Sequence, residues 1–110
     1  MSKHVIFGDV KTSEVWIDGK PLEPSKSLAL ENKSPSGLSW GYYGSGPAQL
    51  ALAILLEFYD QATALRLYQQ FKVDIIAAQD IDKDLVLPVE TVKQWVSEQN
   101  SNEEEEVFNE

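Results

Sequence analysis

Three glycines in six positions interrupt a run of aromatics and lead into a proline, in the string Trp40-Gly41-Tyr42-Tyr43-Gly44-Ser45-Gly46-Pro47-Ala48-Gln49. Glycine allows the backbone close approach and left-handed turns. Just ahead of a helix, such a loop aims unpaired N–H groups at one point, reinforced by the positive end of the helix dipole. That chemistry holds a phosphate or a carboxylate. The spacing is not a nucleotide fingerprint, because it does not read G-x-G-x-x-G and no Gly-Lys-Ser/Thr follows. Pro47 also withdraws one amide an anion would use. The plainer reading is that the glycines let a tight turn enter a buried helix while Trp40 and Tyr42 cap the core. A third reading makes the aromatics anchors for a partner protein. The candidate binding residues are the same for ligand and partner: Trp40, Gly41, Tyr42, Tyr43, Gly44, Ser45, Gly46 and Gln49.

Other chemistry is sparse. The chain has no cysteine, which removes disulfides, thiolate metal sites and Cys nucleophiles, and fits a cytoplasmic setting. His4 is the only histidine and falls in a predicted strand near one end. Asp80, Asp82 and Asp84 alternate like the start of a calcium loop, but Leu85 and Thr91 stand where the loop needs glycine and glutamate. They read as a solvated turn. Glu57 and Asp60 form a carboxylate pair of the kind that caps a helix boundary. Ser45 has no histidine near it in sequence and does not sit in a G-x-S-x-G elbow. Arg66 and Tyr68 could assist an anion at the glycine loop only if packing brings them there. The sequence therefore predicts no catalytic residue, no metal ligand and no cofactor.

The elements that must position the loop follow from periodicity. Residues 4–8 and 14–18 are rich in β-branched and aromatic types, and Asp18-Gly19 is a type I′ turn signal. A small antiparallel sheet results, continued briefly through Lys20-Pro21-Leu22. Residues 25–46 are rich in Ser, Gly and Pro and read as a long loop, with a turn at Ser34-Pro35-Ser36-Gly37 and a possible short strand at Leu28 and Leu30. A helix over about 47–59 follows, with Gly46 as N-cap, Pro47 first and Gln49 reaching back as a capping-box side chain. It is apolar on nearly every side and must be buried. Asp60 caps a second helix with an apolar stripe through Ala62, Leu65, Tyr68, Phe71, Ile75 and Ile76. A last short strand spans residues 84–87. Pro88 opens a third helix with Val89, Val92, Trp95 and Val96 facing inward, fading by Asn100. The class is α+β: one domain over residues 1–100, about three helices on the sheet, and a disordered acidic tail over 101–110.

The 110 residues carry a formal charge of −9, and the five glutamates at positions 103–106 and 110 supply much of it. Without them the balance is thirteen acids against nine bases. The eight lysines and one arginine are scattered, so no basic stripe marks a nucleic-acid binder. The longest uncharged apolar stretch, residues 50–56, is far short of the ~20 residues a membrane span needs.

Residues 40–53 also resemble the signature of an uncharacterised family of small bacterial, archaeal and phage proteins, a domain of unknown function. That signature runs roughly N-H-S-P-x-G-F-x-W-G-Y-x-G-S-G-P-A-Q-L-A-L-A. Asn32, Ser34, Pro35, Gly37, Trp40, Gly41, Tyr42, Gly44, Ser45, Gly46, Pro47 and Ala48 match it, as do Gln49, Leu50, Ala51, Leu52 and Ala53. The segment Tyr68-Gln69-Gln70-Phe71-Lys72 and the pair Trp95-Val96 look similar too. Lys33 stands where the family often has His, and Leu38 where it often has Phe. A lysine could not replace a histidine in proton transfer near neutral pH without a strongly lowered pKa. The resemblance implies a cytoplasmic accessory protein, often from mobile elements, and brings no activity with it. The expectation is a non-catalytic protein-interaction or regulatory module. The alternative is a binder of a phosphate, nucleotide or carboxylate, with an enzyme third and the oligomeric state open.

Overall fold

At Asp18-Gly19 the backbone takes φ of 51° and 80°. Both central residues are left-handed, as a type I′ turn requires. The turn closes a two-residue hairpin between β2 (Val15–Ile17) and β3 (Lys20–Pro21), with Ile17 opposite Lys20. The computed structural model describes residues 4–33 and 37–108, and the side chains of 102–108 lie outside that description. So does most of the predicted turn, Ser34 to Ser36.

The strand β1 (Val5–Gly8) lies between β2 and β4 (Leu85–Pro88), giving an antiparallel sheet of order β3-β2-β1-β4. Among the described residues four helices accompany it: α1 (Ser25–Leu30), α2 (Ser45–Phe58), α3 (Gln61–Phe71) and α4 (Val89–Phe108). A π-helical turn, Lys72–Ile76, prolongs α3. The architecture is α+β. Ile6, Val15, Leu85 and Leu87 are buried on one side of the sheet and belong to the same core as α2. In α2, Leu50, Leu52, Ile54 and Leu55 are fully buried, each worth about 1.5–3 kcal/mol of apolar transfer. Helices α1 and α3 and the π turn all pack against α2.

Several predicted boundaries shift. Leu28 and Leu30 lie in helix α1 rather than in a strand. The carbonyl of Pro24 accepts from the Leu28 N–H at 2.9 Å and from Ser27 Oγ at 2.8 Å, starting a helical turn where composition suggested loop. Helix α2 begins at Ser45, and its N-cap is Gly44, not Gly46. Pro47 then falls in the first turn, where a missing N–H costs no internal bond. Asp60 caps α3 as predicted, accepting from the Thr63 N–H at 2.9 Å. The buried stripe of α3 is Ala64, Leu67, Tyr68 and Phe71, leaving Ala62 and Leu65 exposed. Pro88 ends β4 instead of opening a helix, and the Val89 N–H donates to the carbonyl of His4 at 3.1 Å. The backbone of α4 continues past Asn100 through the acidic run to Phe108, in keeping with the helix preference of glutamate.

Candidate functional site

The glycine-aromatic loop is held at three points. Ser39 N–H donates to the carbonyl of Gly46 in α2 at 3.4 Å, and Gly41 N–H to that of Ile76 in the π turn at 3.0 Å. The Trp40 indole N–H donates to the carbonyl of Lys83, before β4, at 2.9 Å. Gly41 has φ of 87°, and a Cβ there would stand 2.5 Å from the Ile81 backbone. No residue but glycine fits that approach. At Gly8 a Cβ would meet the Trp40 ring at 2.6 Å, so the sheet carries a notch that admits the indole.

These contacts sort the predicted site residues. Trp40 is 4% exposed and belongs to the core. It is therefore not the surface anchor that the partner reading makes of it. Gln49 is fully buried. Its Oε1 accepts from the Lys33 N–H at 2.7 Å and its Nε2 donates to Ser27 Oγ at 2.8 Å, sewing α2 to α1 and the segment after it. It sits too deep in the helix to reach back to the cap, because α2 starts earlier than the sequence suggested. Gly46 is buried, and Gly41 and Gly44 are half-buried. Ser45 is exposed, Tyr42 is 42% exposed and Tyr43 is 74% exposed. The loop presents two tyrosines to solvent on a backbone fastened from below.

Beside Gly46 the predicted anion loop is crowded by the chain's own side chains. A Cβ on Gly46 would meet Ser39 Oγ at 1.9 Å and the Tyr42 hydroxyl at 2.9 Å. Those two hydroxyls lie 2.9 Å apart and bond to each other beside the first turn of α2. Arg66 and Tyr68 are turned to other partners. Arg66 Nη2 reaches Asn100 Oδ1 at 3.5 Å, and the Tyr68 hydroxyl donates to Glu31 Oε1 at 3.4 Å.

His4, Asp18, Asp60, Asp80 and Asp84 serve local structure. His4 Nδ1 bonds to the Asp18 carboxylate, whose other oxygen accepts the Val5 N–H at 3.0 Å. The bond from His4 is the chief cause holding the Asp18 carboxyl below the ordinary range. The side-chain and backbone bonds from Thr63 do the same for Asp60. Asp80 accepts the Asp82 N–H at 2.9 Å, and Asp84 accepts the Val10 N–H at 2.9 Å, so this segment is a turn tied to the sheet. Among the described residues, no group of three or more His, Cys, Asp or Glu could hold a metal ion.

One association is absent from the sequence reading. Lys33 Nζ lies 3.4 Å from Glu31 Oε1, the same oxygen the Tyr68 hydroxyl meets. The only sequence signal for it was the place of Lys33 within the signature, and the fold brings Tyr68 from a separate helix. Among the described residues, no helix is long and apolar enough to cross a membrane.

No curated protein and no solved structure shows a significant match to the chain. A family model matches residues 7–98, most of the chain, including the whole glycine-aromatic loop. The chain belongs to that family, a family of unknown function (DUF6166).

Proposed function

We propose that this chain is a small, non-catalytic accessory protein that works by binding another protein through Tyr42 and Tyr43. The observation that carries this reading is Tyr43, 74% exposed on a backbone fastened to α2, the π turn and the segment before β4. A rigid, amphipathic aromatic loses little side-chain freedom on docking, which is why tyrosine is enriched among energetically dominant interface residues. The lack of cysteine supports a reducing, cytoplasmic setting. The scattered lysines support a protein rather than a nucleic acid as partner.

The test is capture from lysate of the native host with the wild type beside Tyr43→Ala, both verified as folded by circular dichroism. A stoichiometric protein retained by the wild type and lost by the variant supports the proposal. Equal retention by both, or no partner with the wild type, overturns it.

A further inference from the structure

Register and alternation put an apolar row on the face of the sheet turned away from α2. Val86 pairs with Phe7, Phe7 with Trp16, and Trp16 with Pro21, one residue from each strand. Phe7 is 38% and Val86 61% exposed, and the Phe7 and Trp16 rings are 6.0 Å apart. Two positions along each strand returns to the same face. By that rule the neighbouring row is Asp84, Asp9, Glu14 and Glu23. The Asp9 N–H donates to the carbonyl of Glu14 at 2.9 Å and the Leu22 N–H to that of Val15 at 2.8 Å, which carries the pairing past the strand ends. Among the described residues these four carboxylates form no ion pair.

At the β3 end the two rows reach a cavity of about 200 Å3 at the edge of the sheet, lined by Glu14, Trp16, Pro21 and Glu23 of the outer face and bounded by the core residues Val15, Leu22 and Leu38. That is smaller than the clefts of about 300–1,000 Å3 that take drug-sized ligands. It is on the scale of one side chain. Apolar walls, an aromatic ring and two carboxylates match a residue with an aliphatic stem and a cationic head. A second copy of the chain fits poorly, since an isologous contact would press acidic rows together in a protein already at −9. Four strands about 4.8 Å apart, of two to four residues and so none longer than about 13 Å, also give a face far below the ~800 Å2 per partner of a stable interface.

We infer that this outer sheet face docks a short basic segment of a partner protein, one lysine or arginine seated beside Trp16 between Glu14 and Glu23 and a neighbouring apolar residue on Phe7 and Val86. The site is independent of Tyr42 and Tyr43. Its affinity is modest and falls with salt, because the carboxylates are exposed and screened.

The test is NMR titration of the full chain with an acetylated, amidated hexapeptide alternating leucine and lysine. Expected are shifts of the Trp16 indole N–H and of the Phe7, Glu14, Glu23 and Val86 amides. A Glu14→Gln/Glu23→Gln variant should bind at least tenfold more weakly, and Tyr43→Ala should bind like the wild type. A glutamate-for-lysine peptide should leave these signals in place. The inference is overturned by unmoved Trp16 signals, by shifts confined to the glutamates of residues 103–106, or by equal binding to the double variant. A dimer in sedimentation that Trp16→Ala dissociates overturns it as well, since the face would then be covered by a second copy.

Discussion

The Trp40 indole N–H donates to the carbonyl of Lys83 at 2.9 Å while its ring fills the notch left by Gly8. This one side chain couples the glycine loop, the centre of the sheet and the approach to β4. Trp40→Ala should cost about 3–5 kcal/mol, the usual range for removing a buried aromatic. Trp40→Phe should cost less but still about 1–3 kcal/mol, because the Lys83 carbonyl loses its donor. Urea denaturation of both variants checks the order. A Trp40→Ala protein as stable as the wild type would contradict the packing described.

Gln49 is a polar side chain deep in an otherwise apolar helix, bonded to Lys33 N–H and Ser27 Oγ. Gln49→Leu keeps the volume and removes the bonds. It should destabilise by about 1–3 kcal/mol, the cost of stranding buried polar groups. The companion variant Ser27→Ala should be milder in the Gln49→Leu background than alone, since the two share one bond. A double-mutant cycle measures that coupling.

Gly41 and Gly19 both have positive φ, yet only Gly41 has backbone pressed against it. Each loses about 1–3 kcal/mol to left-handed strain on substitution by alanine. Gly41→Ala must in addition push away Ile81. It should therefore be clearly worse than Gly19→Ala, and Gly19→Asn should be nearly neutral because asparagine tolerates that region. Comparing melting temperatures of the three variants decides the point.

The carboxyls of Asp18 and Asp60 are held below the ordinary range, chiefly by the bonds from His4 and from Thr63 respectively. A carboxyl depressed in the folded state contributes stability that is present above its unfolded value of about 3.9 and is lost as pH falls through the folded value. Stability should decline as the solution is acidified below about pH 4. In an Asp18→Asn/Asp60→Asn protein the decline should be shallower. Urea midpoints taken from pH 7 downward test this, and parallel curves for the two proteins would refute it.

Tyr43 is exposed and carries no structural bond of the kind that fastens Trp40. Tyr43→Ala should change stability by no more than about 0.5 kcal/mol, as surface substitutions usually do. A loss of several kcal/mol in thermal unfolding would mean that Tyr43 serves the fold and not a partner.

Local chemistry made part of this protein legible without coordinates. Asp18-Gly19 has no better use than a type I′ turn, an all-apolar stretch after Pro47 has no place but the core, and Asp60 ahead of an amphipathic run is a cap. Each depends on residues within one or two turns of one another. Spacing places Tyr68, Phe71 and Ile76 inward correctly, but in the first turns of α3 Ala62 and Leu65 satisfy helical spacing as well as Ala64 and Leu67, and only docking against α2 chooses between them. Likewise the six residues of α1 carry too little periodicity to distinguish a helix from a loop in the sequence. In the loop, Trp40 and Tyr43 are both aromatics among glycines, and nothing local separates them. The separation comes from Lys83, 43 positions along the chain, and from Gly8 and Ile76, which give Trp40 and Gly41 their partners and leave Tyr43 none. Spacing set which residues could be apolar, turning or capping; which aromatic faces inward depended on contacts that exist only once distant segments meet.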